Sequence, residues 1–186
     1  MRFCNHCGSA LVWRMPPNDD RERFVCSQCE SVHYQNPRII VGCLPVWEQR
    51  VLLCRRSIQP RQGYWTLPAG FMENGETTQE GAERETWEEA RARVADATLY
   101  TIFDLPHISQ VYMFYRAAMV APEFAATHES TEVALFDEAD IPWTELAFPV
   151  VGATLRRYFA DRPSGNFPVS NRTLRPEDWR RSAVAK

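Results

Sequence analysis

Apolar positions in the middle of the chain predict a β-hairpin. Residues 38–47 (RIIVGCLPVW) form a β-branched, apolar run that predicts a buried strand, and residues 51–56 (VLLCRR) predict a second strand after a polar turn. Cys43 and Cys54 fall inside these strands, and we interpret both as ordinary buried thiols. Residues 64–69 predict a short strand that leads directly into Gly70.

The second half of the chain continues this pattern. Residues 98–104, 110–120 and 133–136 predict strands, and the amphipathic residues 150–161 predict a closing helix. Residues 110–120 carry Tyr112, Phe114 and Tyr115, which fit a core position better than a base-stacking role. Residues 163–186 are polar, contain Pro168 and Pro176, and predict an irregular tail.

A helical pattern starts near Thr77 and extends to about Arg93, with Thr77 and Glu80 spaced as in a capping box. Residues 70–89 hold seven glutamates. Glu85, Glu88 and Glu89 share one helix face within about 100°. Carboxylates grouped in this way suit Mg²⁺ or Mn²⁺, although a solvated acidic helix with Glu–Arg pairs has the same composition.

The first 35 residues carry two pairs of cysteines. Cys4 and Cys7 form one Cys-x2-Cys motif, and Cys26 and Cys29 form the other after 18 intervening residues. Four thiolates in this pattern predict a tetrahedral, structural Zn²⁺ site in a zinc ribbon, with a redox pair or disulfides as alternatives. His6 and His33 have no required role as ligands beside a complete set of four sulfurs.

Composition narrows the possible function classes. The chain has 186 residues, a formal charge of −3 and no apolar run of membrane-spanning length, so we expect neither a nucleic-acid partner nor a membrane. The N-terminus lacks the apolar core of a secretory signal, which predicts a cytoplasmic location. We predict a zinc ribbon at 1–35, a main α/β domain at 36–162 and a polar tail at 163–186.

The glutamate-rich stretch resembles the Nudix box, G-x5-E-x7-R-E-U-x-E-E-x-G-U, in which U is aliphatic. The box positions are matched by Gly70, Glu76, Arg84, Glu85, Glu88 and Glu89. Thr86, Arg91 and Ala92 depart from the pattern. Glycine at the position of Arg91 normally ends the helix, so the helix is expected to run longer or to exit differently.

The resemblance implies a Nudix α/β/α sandwich that hydrolyses a nucleoside diphosphate linked to another moiety X. Glu85 and Glu89 would be the main Mg²⁺ (or Mn²⁺) ligands, with Glu88 and the Ala69 carbonyl as further ligands. Glu76 and Arg84 would orient this set. A glutamate from the loop before the strand at 133–136 would act as general base or as an extra metal ligand, with Glu132 as first candidate and Glu129 as second.

Substrate residues are expected in the loops around the box. Arg55, with Arg56 and Arg61, is a candidate phosphate contact, although a solvated cluster is the ordinary explanation for any one of them. The other candidates for contact with a nucleotide-sugar or dinucleotide substrate are Trp65, Gln110 and Tyr112.

Motifs outside the box bear on the choice of substrate. The segments YQNP, VGC, VLLCRR, GYWTLPAGFMENGE and IPW-x3-LAF resemble FAD and ADP-ribose pyrophosphatases, which release AMP with FMN or ribose 5-phosphate. NADH pyrophosphatases carry Ser-Gln-Pro-Trp-Pro-Phe-Pro, and this chain departs from it after Ser109-Gln110. A non-catalytic binding module is the third possibility, and a homodimer is expected by analogy only.

Overall fold

The chain folds into two compact units. The computed structural model describes residues 1–177, and the chain divides after Pro37, two residues beyond the boundary predicted from the sequence. Among residues 1–177, no helix is long and apolar enough to cross a membrane.

The first unit is a three-stranded antiparallel sheet. Its strands are β1 (Leu11–Arg14), β2 (Arg23–Cys26) and β3 (Val32–His33), in that spatial order. Trp13 packs edge-on against Phe24, with 4.6 Å between the ring centroids. The buried apolar residues of this unit are Cys4, Pro16, Val25 and Cys26. So small a core leaves much of the stability to other interactions.

The second unit is built on one mixed sheet. Its strands are β4 (Arg38–Trp47), β5 (Arg50–Arg56), β6 (Trp65–Thr66), β7 (Ala69–Phe71), β8 (Val94–Leu105), β9 (Gln110–Met119), β10 (Ser130–Phe136) and β11 (Ser170–Thr173). The order is β10-β5-β4-β9-β8-β11, with β6 paired to β5 and β7 paired to β4. The central pair, β4 and β9, is parallel.

Two helices cover opposite faces of this sheet. Helix α1 spans Thr78–Ala90 and α2 spans Pro149–Asp161. Val41 and Cys43 of β4 cluster with Ala82 of α1, whereas Leu44 of the same strand clusters with Leu155 of α2. Because successive side chains of a strand point to opposite faces, this alternation defines an α/β/α sandwich and confirms the predicted fold class.

The box helix ends earlier than the sequence pattern predicts. It stops at Ala90, and Arg91 adopts the left-handed conformation (φ 53°) while its N–H donates to the Trp87 carbonyl. The expectation of a helix extending to Arg93 was therefore wrong. Arg91 ends the helix in the conformation that glycine would adopt, at a steric cost that glycine avoids.

The polar C-terminal segment is more ordered than predicted. A 3₁₀ turn at Arg162–Ser164 is followed by β11, which pairs in parallel with β8. Phe167 stacks on Tyr158 with 5.7 Å between centroids, and Leu174 is buried. The prediction of an irregular tail was wrong here because two apolar anchors bracket a polar strand that pairs through its backbone. The last part of the predicted tail lies outside the described residues.

The remaining differences are local. The single strand predicted at residues 64–69 is two short strands, β6 and β7, with Leu67 and Pro68 between them. The loop predicted at 105–108 contains a 3₁₀ turn, Pro106–Ile108. Cys43 and Cys54 are fully buried, as predicted, and this burial raises the pKa of Cys43 to about 12 and also raises that of Cys54.

Candidate functional site

Four cysteine sulfurs gather in the first unit. The Sγ atoms of Cys4, Cys7, Cys26 and Cys29 all lie within 4.8 Å of one another. Cys7 and Cys26 are 3.4 Å apart, and Cys4 and Cys29 are 3.7 Å apart. Tetrahedral Zn²⁺ with Zn–S bonds of about 2.3 Å places its sulfurs about 3.8 Å apart. The donor set therefore fits a structural zinc ion with no position left for a substrate.

One histidine beside the cysteines is more involved than the sequence indicates. The buried His33 places Nε2 at 3.3 Å from the Sγ of Cys4. His6 lies farther out, with Nδ1 at 3.4 Å from the Ser31 hydroxyl. In the tautomer that carries the proton on Nε2, His33 would donate to the Cys4 sulfur and orient it, which is a supporting role that the sequence did not indicate.

Five glutamates line one cavity of about 640 Å³ in the second unit, and one of them, Glu73, comes from the segment between β7 and α1. Glu85, Glu88 and Glu89 come from α1, and Glu129 comes from the loop before β10. The capping box predicted for α1 is present, because Thr77 accepts from the Glu80 N–H and Glu80 accepts from the Thr77 N–H. The cap fixes where α1 begins and therefore which face carries the carboxylates.

Arg84 connects the carboxylates of the box. Its Nε and Nη2 donate to the two oxygens of Glu76 at 2.9 and 2.8 Å. Its Nη1 donates to Glu85 at 2.8 Å and to Glu88 at 2.9 Å. Arg84 and the Glu73 N–H lower the pKa of Glu76 to about 2, so Glu76 is an anion that fixes the guanidinium.

Glu89 is the most buried carboxylate of the cavity. Its side chain is 5% exposed, and one oxygen accepts from the Ala69 N–H at 3.1 Å. Burial raises its pKa to about 8, and the negative charges of Glu85 and Glu129 act in the same direction. Burial also raises the pKa of Glu85. Desolvated carboxylates this close together favour either a proton or a bound cation.

Two glycines make room for this arrangement. A Cβ at Gly70 would collide with the carboxylate of Glu85. A Cβ at Gly81 would lie 2.6 Å from a Glu76 oxygen and 2.8 Å from Val41. The glycine of the box therefore allows the backbone of β7 to approach the acidic face of α1.

The acidic cavity fits a hard divalent cation. Carboxylate oxygens and the adjacent Ala69 carbonyl are the donors that Mg²⁺ and Mn²⁺ prefer. In residues 1–177, the four cysteines form the one cluster of at least three metal-ligating side chains, with ligand atoms within 4.8 Å of one another. The carboxylate oxygens of the cavity are spread more widely than these sulfurs. Arg84 Nη1 holds one oxygen of Glu85 at 2.8 Å and one of Glu88 at 2.9 Å, so these two carboxylates share one cationic partner.

The candidate general base changes from Glu132 to Glu129. The Glu132 side chain is 53% exposed, pairs with Arg55 at 3.3 Å and is not among the residues lining the cavity. Glu132 lies opposite Arg55 in the β10–β5 register, which holds its carboxylate at this position. Glu129 lines the cavity, and its charge raises the pKa values of Glu85 and Glu89.

Arg55 and Trp65 also lie outside the cavity lining. Arg55 donates to the Gly63 carbonyl and pairs with Glu132. Trp65 is buried in the core edge-on against Phe136, with 4.9 Å between centroids. Their selection as substrate contacts is not supported, because the next residue of the strand, Arg56, takes the position at the cavity.

Gln110 and Tyr112, which the sequence analysis proposed as substrate contacts, do line the cavity. Both come from the start of β9. Other apolar residues complete this wall, and sequence reasoning did not select them as substrate contacts: Ile58, Pro60, Phe71, Ile108 and Phe148. Their apolar character alone does not separate them from core residues, so the sequence held no signal for this role.

Comparison with known proteins identifies the family. The NUDIX domain model matches residues 36–158, and the "Nudix N-terminal" zinc-ribbon model matches residues 2–35. The chain therefore belongs to the Nudix hydrolase family and carries its N-terminal zinc ribbon.

The similar proteins differ in how much of their length they share with this chain. A NUDIX hydrolase structure from Nitrosomonas europaea has a TM-score of 0.90 and 49% identity, covering 94% of this chain and 99% of that one. The NAD-capped RNA hydrolase NudC of Edwardsiella ictaluri is 30% identical over 86% of this chain. The chain spans 59% of the length of that relative. An ADP-ribose pyrophosphatase structure from Streptococcus suis has a TM-score of 0.59 and 19% identity, covers 75% of this chain and 100% of that chain, and shares the fold alone.

Proposed function

We propose that the chain is a Mg²⁺- or Mn²⁺-dependent pyrophosphohydrolase acting on a nucleoside diphosphate linked to X, with FAD or ADP-ribose as the preferred substrate. The products would be AMP with FMN or ribose 5-phosphate. The observation that carries the proposal is a single cavity that is lined by five glutamates together with apolar and aromatic residues. The acidic part suits a cation and its phosphates, and the apolar part suits a ring system.

The residue roles follow from the contacts. Glu85, Glu88 and Glu89, with the Ala69 carbonyl, would hold the cation. Arg84 positions Glu85 and Glu88, and Glu76 holds Arg84 through two hydrogen bonds. When bound, the cation would neutralise pyrophosphate charge and lower the pKa of water.

Glu129 is the proposed general base, in place of Glu132. It lies at the cavity beside the carboxylates of α1, on a loop held to β5 by the Ser57 N–H, which donates to the Glu129 carbonyl at 2.9 Å. A base must reach the attacking water, which a carboxylate lining the cavity can do. Glu132 is instead paired with Arg55.

The choice of FAD or ADP-ribose rests on the motifs outside the box and on the shape of the cavity. Tyr112 lines the cavity with Phe148, and its ring stacks on Phe114 with 6.1 Å between centroids. A cavity of about 640 Å³ lies within the range of small-molecule and cofactor sites.

NADH or an NAD-linked substrate is the second candidate. The relatives from Edwardsiella ictaluri and Photobacterium profundum are named NAD-capped RNA hydrolases, the latter 33% identical over 70% of this chain and 44% of its own length. The sequence-based expectation included no nucleic acid, and the names of these relatives add NAD-capped RNA to the candidate substrates. Against this candidate, the NADH pyrophosphatase signature breaks after Ser109-Gln110, and Gln110 opens β9 at the cavity.

A binding module without activity is the third candidate. It has no use for five carboxylates around one cavity, two of them buried with raised pKa values. A homodimer is proposed from the family resemblance alone, and light scattering of the purified chain tests it.

The test is a substrate screen with purified protein and Mg²⁺. FAD, ADP-ribose, NADH and NAD-capped RNA are supplied separately, and the products are separated and quantified. AMP with FMN or ribose 5-phosphate is the expected result, and the Glu89→Gln variant should lose most of this activity. Turnover of NADH or capped RNA alone would select the second candidate, and no turnover with any substrate would leave the binding module.

A further inference from the structure

The loop that carries Glu129 is attached to the C-terminal end of α1. The last carbonyl groups of a helix have no partner within the helix itself, and two of those of α1 accept hydrogen bonds from this loop. The Ala90 carbonyl accepts from the Ala125 N–H at 2.8 Å. The Glu89 carbonyl accepts from the Thr127 hydroxyl at 3.3 Å. The loop is therefore fastened to the helix that carries three of the cavity carboxylates.

Thr127 connects this helix to the backbone of Glu129. Its Oγ1 donates to the Glu89 carbonyl and accepts from the Glu129 N–H at 3.2 Å. A hydroxyl can make both bonds at once because it has one O–H group and two lone pairs. The Thr127 N–H also donates to the Ser130 carbonyl at 2.9 Å, which closes the turn that contains Glu129. One side chain thus joins a proposed cation ligand to the proposed general base.

The other contacts of Glu129 do not hold it against α1. The Ser57 N–H donates to the Glu129 carbonyl at 2.9 Å, and the Ser57 hydroxyl donates to the His128 carbonyl. Both bonds attach the loop to the chain just after β5. The Glu129 carboxylate lies 3.1 Å from Nε2 of His128, whose side chain is 79% exposed, so water screens this contact. The Thr127 hydroxyl is the side-chain contact that ties the base to the acidic helix.

The early end of α1 makes this contact possible. In a helix that continued, the Glu89 carbonyl would accept from the N–H four residues further on, that of Arg93. The helix instead stops at Ala90, where Arg91 turns into the left-handed conformation. The Glu89 carbonyl is then left for the Thr127 hydroxyl.

We propose that Thr127 is a positioning residue, whose hydroxyl holds Glu129 beside the carboxylates of α1 so that Glu129 accepts a proton from the attacking water. In that step the water oxygen bonds to phosphorus, its proton passes to Glu129, and the bond from phosphorus to the leaving oxygen breaks. This inference rests on the proposed function, in which Glu129 is the general base. Among the described residues, those that line the cavity do not include Thr127, so it acts through Glu129 rather than on the substrate.

The first experiment compares two substitutions of Thr127 in the full chain, with Mg²⁺ and the substrate that the wild type hydrolyses. Thr127→Val keeps the branched shape and removes the hydroxyl, so kcat should fall by about ten- to a hundredfold with KM unchanged. Thr127→Ser keeps the hydroxyl and should restore most of kcat. Thr98→Val is the matched control, since Thr98 is exposed and its hydroxyl also donates to a carbonyl, that of Arg116, at 3.4 Å.

A double-mutant cycle tests whether Thr127 acts through Glu129. In the Glu129→Gln chain, Thr127→Val should have no further effect on kcat, because the base is already absent. A second measurement, hydrogen exchange of the Glu129 amide followed by NMR, needs no substrate. That amide should exchange faster in Thr127→Val, which removes its acceptor, and at the wild-type rate in Thr127→Ser.

The outcomes separate this inference from the proposed function. Wild-type kcat or wild-type exchange of the Glu129 amide in Thr127→Val overturns the inference. So does a full further loss of kcat in the Glu129→Gln background, or a rise in KM with a lower melting temperature, since Thr127 would then only support the fold. Hydrolysis by the wild type together with any of these results keeps the proposed function. A chain that hydrolyses no substrate but whose Glu129 amide depends on Thr127 loses the proposed function and keeps the attachment of the loop to α1.

Discussion

At the scale of single residues, the acidic cavity combines two opposite electrostatic conditions within a few side chains. Glu76 is held as an anion by Arg84, and its pKa falls to about 2. Glu89 is desolvated, and its pKa rises to about 8. The first carboxylate is a fixed support, and the second is a group whose charge depends on what else occupies the cavity.

This contrast predicts how stability depends on pH. The folded-state pKa of Glu89 is raised from the ordinary 4.5 to about 8, so between these values the folded protein binds more protons than the unfolded chain. The free energy of unfolding therefore falls as pH rises through this window, by an amount on the order of a few kcal/mol. Without added Mg²⁺ or Mn²⁺, the melting temperature of the second unit should fall from pH 5 to pH 8.5, and Glu89→Gln should lose most of that slope.

Magnesium provides the complementary measurement. Mg²⁺ binds the ionised carboxylates, so it should raise the melting temperature more at pH 8.5 than at pH 6, and binding should release protons. Glutamine at position 89 can still accept from the Ala69 N–H, so the fold is retained in the control. Equal slopes in the wild type and Glu89→Gln would show that Glu89 does not titrate in this range.

Residue-level prediction from the sequence succeeded where spacing fixes geometry. The positions of Glu85, Glu88 and Glu89 on one helix face follow from 3.6 residues per turn. The choice between Glu129 and Glu132 does not follow, because it depends on where β10 begins and on the pairing of Glu132 with Arg55. The register between two strands that are distant in the chain cannot be read from a single sequence.

At the scale of elements, the strands and helices were largely predictable because their apolar periods are strong. Two features, the end of α1 and strand β11, were not predicted. Arg91 ends α1 without the glycine that would signal the end, and β11 is a polar edge strand whose pairing uses backbone groups. Both misses occur where backbone conformation, rather than side-chain pattern, determines the structure.

The end of α1 gives a prediction about stability. Arg91 adopts a left-handed backbone conformation that is strained for a residue with a Cβ and unstrained for glycine. Arg91→Gly should therefore stabilise the protein by about 1 kcal/mol. Its guanidinium also lies over the Trp87 ring at 5.3 Å, a contact that the substitution removes. Arg91→Ala is the matched control, because it removes the same contact and keeps a Cβ. Urea unfolding should give glycine the higher stability of the two variants, and an equal stability would refute the steric account.

At the scale of the whole molecule, the chain contains two sites of different kinds. The four cysteines form a closed set of sulfur donors, and the glutamates line an open cavity of oxygen donors. Sulfur ligands favour zinc, and carboxylates favour magnesium or manganese. The two metals should therefore be separable by experiment.

The zinc site yields the final prediction. The first unit buries few apolar residues, so its folding should depend on the bound metal. Cys4→Ser should release the zinc, measured by elemental analysis, and should unfold this unit at a lower temperature than the rest of the chain. Cys43→Ser is the control, since its thiol is buried in the second unit and outside the four-sulfur cluster. Full zinc content and an unchanged melting profile in Cys4→Ser would refute a structural role for the site. Loss of zinc also removes the sulfur that His33 contacts, so the environment of the His33 ring, followed by NMR, should change in Cys4→Ser and stay as in the wild type in Cys43→Ser.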